Sequence, residues 1–512
     1  MRAMKNNILI KNPAWAIAGV LFSALLVTAI FPPFDLGWAA WLALVPLILA
    51  LQGRTPLSGF FLGWLYGLAA AYGLCGWIFQ VPGFHWYHGV PLAMYLGLYP
   101  AVWSAFLCSC RKNNCRFISF LIPALWPVLD YIKAHAGFLS CPWTTFDLSQ
   151  HAFLPLLQIA SITGGYGITF LIIMVNLSIA MALQRHSLRS LTLPIFLCSL
   201  TFFYGFMQTH LSPAGPSITV AAIQPAILRR ERNKQKNREH CRQRLAKLTH
   251  RAAKQGAELI VWPETALKNL SNRPDILHWL QKLSTQTGSF IIAGFSEFDK
   301  FQRNNSPSAQ QNLLDNYTYN SACLVSPSGK KFPLYHKRQL VPFGEYLPIK
   351  EVINWPEWFI SKFNEVTAGN KAILYTILNG IRVSPVICWE NLFADMIRHN
   401  VRQGASIIAH MTNDNWFGIT AASSQHNLAS IMRAVENRTP VILSSNTGPS
   451  LIIDYLGQVI TAPSDLFSQT FVLASVHPGM AGLSWYSLHG NCFIYACAFI
   501  LLVNIGKNIF KK

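Results

Sequence analysis

Three side chains that together can move an acyl group stand at the ends of apolar runs. Glu264 lies in Val261-Trp262-Pro263-Glu264-Thr265, Lys337 in Tyr335-His336-Lys337-Arg338 and Cys388 in Val386-Ile387-Cys388-Trp389-Glu390. A thiol attacks a carbonyl as its thiolate, so it needs a base. A carboxylate beside it can take the proton and later return it to a leaving group. An ammonium, with the backbone N–H of Trp389, can stabilise the oxyanion that forms on the attacked carbonyl. Glu264, Lys337 and Cys388 therefore suit acyl transfer through a thioester. That chemistry implies no metal or organic cofactor. Each residue alone has a plainer reading: a solvated strand-end acid, a surface lysine beside Arg338, a buried structural thiol.

The elements that must position this set begin near Ser217. Short β-branched runs read as strands at Ile218–Ile223, Leu259–Trp262, Phe290–Ala293, Ser321–Val325, Val383–Cys388, Ser406–His410, Pro440–Ser445 and Leu451–Asp454. Helical patterns at 231–255, 273–287, 391–403 and 423–438 lie between some of them. Alternating strand and helix predicts a layered α/β domain. The stretch His410 to Gly418 follows a strand, is rich in turn formers and reads as a strand-end loop.

The rest of the chain has a different composition. Overall it is 52% hydrophobic and 12% charged, about half the charge of a soluble domain. The charge deficit is concentrated in 13–207 and 485–506. Apolar stretches near 13–31, 34–52, 58–79, 89–109, 117–134, 153–183, 190–207 and 487–506 read as about eight membrane spans, with Gly164-Gly165-Tyr166-Gly167 interrupting the sixth. Arg2, Lys5, Lys11, Arg54, Arg111, Lys112, Arg116, Arg185, Arg189, Lys507, Lys511 and Lys512 then fall on one side, with Lys133 the exception opposite. By the positive-inside rule both termini are cytoplasmic and 210–484 lies on the far side of an inner membrane. The expected division is 1–210 transmembrane, 211–484 extracytoplasmic and catalytic, and 485–512 a final span with a basic tail.

The formal net charge is +20, part of it in the run Arg229 to Lys254. That run lacks the interleaved aromatics of a single-strand binder, so no nucleic-acid partner is expected. It reads as a solvated helix face or a contact with anionic headgroups. Eleven cysteines show no CxxC or Cys/His ligand spacing, which argues against zinc. An oxidising compartment would permit a Cys241–Cys323 disulfide without demanding one.

The Glu264, Lys337 and Cys388 motifs resemble the triad of the nitrilase superfamily. Leu340 to Pro348 (with Phe343-Gly344-Glu345-Tyr346), Asn413 to Gly418, Arg433 to Arg438 and Asn446-Thr447-Gly448 narrow the likeness. In the membrane half, Pro155 to Gln158 and Gly165-Tyr166-Gly167 through Asn176 agree. Nearly the whole chain resembles the apolipoprotein N-acyltransferase family. The resemblance implies a multi-pass α-helical membrane domain plus a nitrilase-like four-layer αββα sandwich. It implies ping-pong acyl transfer from a glycerophospholipid such as phosphatidylethanolamine, cleaved at its first acyl position, to the N-terminal amine of a diacylglyceryl-modified apolipoprotein. The partners are then phospholipid, apolipoprotein and bilayer, and a monomer is expected. A fourth essential acid is implied at Glu345 and a supporting one at Glu390; a salt-bridged structural acid and a helix N-terminal acid are the alternatives. Trp389 stands where the family commonly carries Tyr, and Gln224 to Leu228 lacks a Trp that the family tends to have there.

Trp355, Trp358, Phe359 and Phe363 are spaced to share one helical face over 353–363. That face is either core or an arm dipping into the interface to gate acyl entry. Trp416 and Phe417 are candidate pocket walls. Arg433 reads as half of a helix-face ion pair and Asn446 as a strand-end turn. Two rival functions remain: an anchored amidase or nitrilase with water as acceptor, and a non-enzymatic membrane scaffold.

Overall fold

The computed structural model describes residues 12–509 except 114, 116, 212–214, 229–230, 232–236, 298–318, 357–364 and 480–482. The chain forms two compact units: 1–211 with 420–428 and 489–512, and 212–419 with 429–488.

The first unit is helical. Among the described residues, four helices are long and apolar enough to cross a membrane: Pro56–Gln80, Trp86–Lys112, Gly165–Arg185 and Leu188–Thr209. The region is therefore multi-pass. Two expected spans differ from the reading. The 34–52 stretch folds as two short helices, Gly37–Trp41 and Val45–Ala50, because Pro46 suits only a helix's first turn. The 153–183 stretch breaks at Gly164, whose φ of 66° separates short helices at Leu154–Leu157 and Ala160–Thr163 from Gly165–Arg185.

Close approach holds this unit together. Gly59, Gly63 and Gly67 recur every fourth residue and form one stripe. A Cβ at these positions would sit 2.6 Å from Cys108 Sγ, 2.4 Å from Ser104 Oγ and 2.5 Å from Gly97 Cα, respectively. Small residues let two such helices pack backbone to backbone where lipid supplies no hydrophobic drive. Buried polar side chains add cross-ties. Asn176 accepts from the Leu44 N–H at 2.8 Å and donates to Ala40 O at 2.9 Å. Gln425 Oε1 accepts from Trp77 Nε1 at 3.2 Å and Trp143 Nε1 at 3.0 Å, while its Nε2 donates to Pro32 O. Asp130 and Lys133 pair at 2.9 Å one turn apart on the Ile118–Ala134 helix.

The second unit is built on twelve strands: β1 Ile218–Gln224, β2 Leu259–Val261, β3 Leu267–Lys268, β4 Phe290–Glu297, β5 Tyr319–Val325, β6 Tyr335–His336, β7 Tyr375–Thr376, β8 Arg382–Ile387, β9 Ile407–Thr412, β10 Val441–Ser445, β11 Leu451–Ile453 and β12 Thr470–Val476. One sheet runs β12-β1-β2-β4-β5-β6, with β3 on β4; the other runs β11-β10-β9-β8-β7. β1, β2 and β4 are parallel, as are β8, β9 and β10. Nearly continuous apolar runs fit strands that are covered on both faces. Val220, Ala222 and Leu324 of the first sheet pack with Val383, Ala409 and Ile442 of the second in a sheet-to-sheet core. On the other face of the first sheet, Ile260, Ile291 and Cys323 pack against Leu245 and Leu280 of helices Arg238–Lys254 and Pro274–Thr287. Cys241 and Cys323 are buried free thiols in that cluster, so the permitted disulfide is not formed.

Candidate active site

Cys388 follows β8 directly and opens a 3₁₀ turn, Cys388–Leu392. Its φ of 50° is a left-handed conformation that residues other than glycine rarely adopt. His410 on β9 pins the turn from below, with Nε2 3.1 Å from the Cys388 carbonyl oxygen and Nδ1 3.0 Å from Ser430 Oγ.

Glu390 is fully buried two residues on. Its carboxylate accepts from the backbone N–H groups of Ile387 (2.7 Å), Arg338 (2.6 Å) and Gln339 (3.2 Å) and from the Tyr335 hydroxyl (2.8 Å). One side chain thus joins the turn that carries Cys388 to the segment that carries Lys337. Burial pushes the Glu390 carboxyl up, and the backbone donors oppose that push.

Lys337 leaves β6 and is 1% exposed. Its Nζ donates to both Glu345 carboxylate oxygens at 2.8 Å and lies 4.0 Å from Glu264 Oε1. Glu345 also accepts from the Val341 N–H at 2.8 Å, within a turn where Phe343 takes a φ of 60°. Burial alone would favour the neutral amine. Glu345, Cys388 and Glu264 outweigh it and raise the Lys337 ammonium above its ordinary range, so it stays charged.

Glu264 sits just beyond β2, where the Trp262 N–H bonds Ile292 O at 2.8 Å. Gly294 of β4 makes room for it: a Cβ there would stand 2.4 Å from Pro263 O and 2.9 Å from Glu264 Cα. Burial, Glu345 and Asp414 raise the Glu264 carboxyl, against Lys337 and a 2.5 Å hydrogen bond from Asn320 Nδ2. Burial and Glu264 push the Cys388 thiol well up, with Lys337 pulling it down. At rest the sulfur holds its proton, and a carboxyl with raised proton affinity is the neighbour that can take it.

The structure brings Glu264, Lys337, Cys388, Glu345 and Glu390 together; Glu264, Lys337 and Glu390 are buried, Cys388 and Glu345 partly so. Trp389 meets Phe393 edge to face at 6.3 Å. Trp355 lies in irregular backbone, with Nε1 donating to Pro348 O at 2.7 Å and the ring edge-on to Phe343 at 5.1 Å. The helical face expected over 353–363 therefore does not include 353–356. Trp358 and Phe359 fall outside the described residues. Trp416 is 41% exposed and Phe417 half-buried at the end of the Asp414–Trp416 turn. Arg433 pairs with Glu436 at 2.8 Å, and Asn446 bonds Ile227 O and Asn413 Oδ1, as their plainer readings expected.

Four contributors were not read from the sequence: Asn320, Tyr335, His410 and Asp414. Asp414 accepts from Thr412 Oγ1 at 2.7 Å, and its neighbour Asn413 donates to Thr265 Oγ1 at 3.1 Å, beside Glu264. Tyr335 had a usable signal. It lies two residues before Lys337, which is one strand repeat.

Glu264, Lys337 and the half-buried Cys388 follow β2, β6 and β8 of a two-sheet α/β unit of the carbon–nitrogen hydrolase class. The model of that family (Carbon-nitrogen hydrolase) matches residues 219–494. The apolipoprotein N-acyltransferase N-terminal domain model matches residues 23–178. Among full-length relatives, an apolipoprotein N-acyltransferase of Geobacter metallireducens is 32% identical over 93% of this chain and 92% of its own length. Those of Chlorobaculum tepidum (27%, covering 93% of each chain) and Photobacterium profundum (26%, covering 96% and 92%) follow. The chain belongs to the apolipoprotein N-acyltransferase family.

Proposed function

We propose that this chain transfers an acyl group from a membrane glycerophospholipid, through a thioester on Cys388, to the N-terminal amine of a diacylglyceryl-cysteine lipoprotein. The observation that carries the reading is the Lys337 ammonium, buried between Glu345 and Glu264 in a chain whose described residues include four helices long and apolar enough to cross a membrane.

In the first half-reaction Glu264 takes the Cys388 proton. The sulfur–carbon bond forms, and Lys337 with the Trp389 N–H stabilises the oxyanion. The ester carbon–oxygen bond then breaks, and Glu264 returns the proton to the lysophospholipid hydroxyl. In the second, Glu264 deprotonates the attacking amine, nitrogen replaces sulfur on the carbonyl carbon, and the thiol re-forms. Glu345 holds the ammonium and Glu390 fixes the two segments against each other. Trp355, Trp358, Phe359, Trp416 and Phe417 are proposed to contact the acyl chains. The wider reading has about eight spans, a four-layer αββα catalytic domain over 211–484 facing the periplasm, cytoplasmic termini, and a monomer in the inner membrane.

Incubating the purified protein with acyl-labelled phospholipid tests it. A labelled adduct on Cys388, absent in Cys388→Ala and discharged by a diacylated peptide amine, is the expected result. Discharge by water at an equal rate would favour the anchored hydrolase, and no adduct at all would end both readings.

A further inference from the structure

Asn320 opens β5 and is buried. Its side-chain amide donates to Glu264 Oε1 at 2.5 Å, and its own carbonyl accepts from the Lys337 N–H at 2.8 Å. One residue therefore grips the side chain of the acid and the main chain of the ammonium. The oxygen that the amide holds is also the one facing the ammonium, since Lys337 Nζ lies 4.0 Å from Glu264 Oε1. Oε2 is left as the oxygen for proton transfer. Resting on the proposed role of Glu264 as the base, we infer that Asn320 is a positioning residue: it fixes Oε1 and so presents Oε2 to the Cys388 thiol and then to the incoming amine.

The electrostatics around the acid explain why a neutral donor is placed there. Glu264 is faced by Lys337, by the carboxylates of Glu345 and Asp414, and by the Cys388 thiol. One ammonium answers three acids, and most of its hydrogen bonding is spent on Glu345. A second ammonium in place of Asn320 would compete for Glu345 and loosen Lys337. An amide stabilises the ionised Glu264 without disturbing that pair. Its orientation is fixed by chemistry as well as by space, because only the NH₂ can face a carboxylate. Removing it should make the acid hold its proton to higher pH.

The test is the pH profile of Cys388 acylation from labelled phospholipid in the full-length protein, with rate and final adduct amplitude read separately. Asn320→Leu keeps the volume and removes the donor; Asn320→Ala removes both. A hydrogen bond to a charged group contributes about one to two pH units, so the acid limb should move up by that much in both variants. On the acid side the rate should fall roughly 10- to 100-fold and recover as the pH rises. Misfolding lowers the amplitude without moving the limb, so the two effects separate. An unmoved limb would overturn the inference, as would amplitude lost at every pH in both variants, which would make Asn320 a support of the fold alone. If the wild-type protein forms no adduct, it is the proposed function that fails.

Discussion

Among the described residues two lysine–carboxylate pairs are largely buried, and they are built in opposite ways. Asp130 and Lys133 lie one turn apart on a single helix of the membrane unit. Their meeting needs only that helix. The Lys337 cluster draws Glu264, Glu345 and Cys388 from segments up to 124 residues apart, and it exists only once two sheets have closed. A local pair is robust and restates the helix. A tertiary cluster is fragile and carries information that no single element holds. The two units divide the same way over glycine: Gly63 admits a neighbouring helix, whereas Gly294 admits the backbone that carries Glu264.

The difference is sharpest at Lys337. Lys337→Met should reduce Cys388 acylation roughly 100- to 1,000-fold, since it removes an oxyanion partner worth about 2.7–4 kcal/mol. It should also cost about 3–5 kcal/mol of stability by stranding buried acids. Adduct mass spectrometry and thermal melting check the two parts. Asp130→Asn also strands an ammonium and should cost about 3–5 kcal/mol of stability, but acylation per folded molecule should stay within about threefold, because the pair is confined to one helix. A large loss there would erase the contrast.

Glu390→Gln comes next. An amide cannot accept from three backbone N–H groups and a hydroxyl as a carboxylate does, so one buried donor is stranded at about 1–3 kcal/mol. Activity should fall more than the melting temperature would suggest, because the lost bonds are those that join the two catalytic segments.

The glycines supply a matched test. Gly294→Ala drives a methyl against Pro263 O and Glu264 Cα. It should lower the acylation rate about tenfold or more at a stability cost of about 1–3 kcal/mol. Gly63→Ala meets Ser104 Oγ and Pro100 O instead. It should cost similar stability in detergent while the thioester rate per folded molecule stays near wild type.

The smallest effect is on pH. Glu264 is raised by burial and by its acidic neighbours, so the acid limb of acylation should lie above the ordinary carboxylate range. Lys337 is raised as well, so no alkaline limb from its deprotonation should appear in the working range. A limb at the pH of an exposed glutamate would show that the acid is not the buried one.

Much of this was legible in the sequence. All eight strand runs are strands, because β-branched residues in runs bounded by turn formers leave little choice. Glu264, Lys337 and Cys388 stood out as candidates because each follows such a run. Asn320 did not: asparagine is a poor strand residue, so the strand-like run begins at Ser321, whereas in the fold Asn320 pairs with Ser296 of β4 and bonds Glu264. The two-residue strands β3, β6 and β7 carry too little sequence for any periodicity, and β12 is a half-buried edge paired with β1. Hydropathy reads 34–52 as one run because it averages over Pro46, where the backbone divides into Gly37–Trp41 and Val45–Ala50.

The left-handed backbone at Cys388 has a consequence for anyone wishing to trap a substrate. Alanine and serine both keep a β-carbon where the main chain resists one, and glycine alone would relax it. A Cys388→Gly protein should therefore be a firmer, inert scaffold than the natural one. A residue chosen for durability alone would be glycine, so the sulfur sits where it costs the backbone most to hold it.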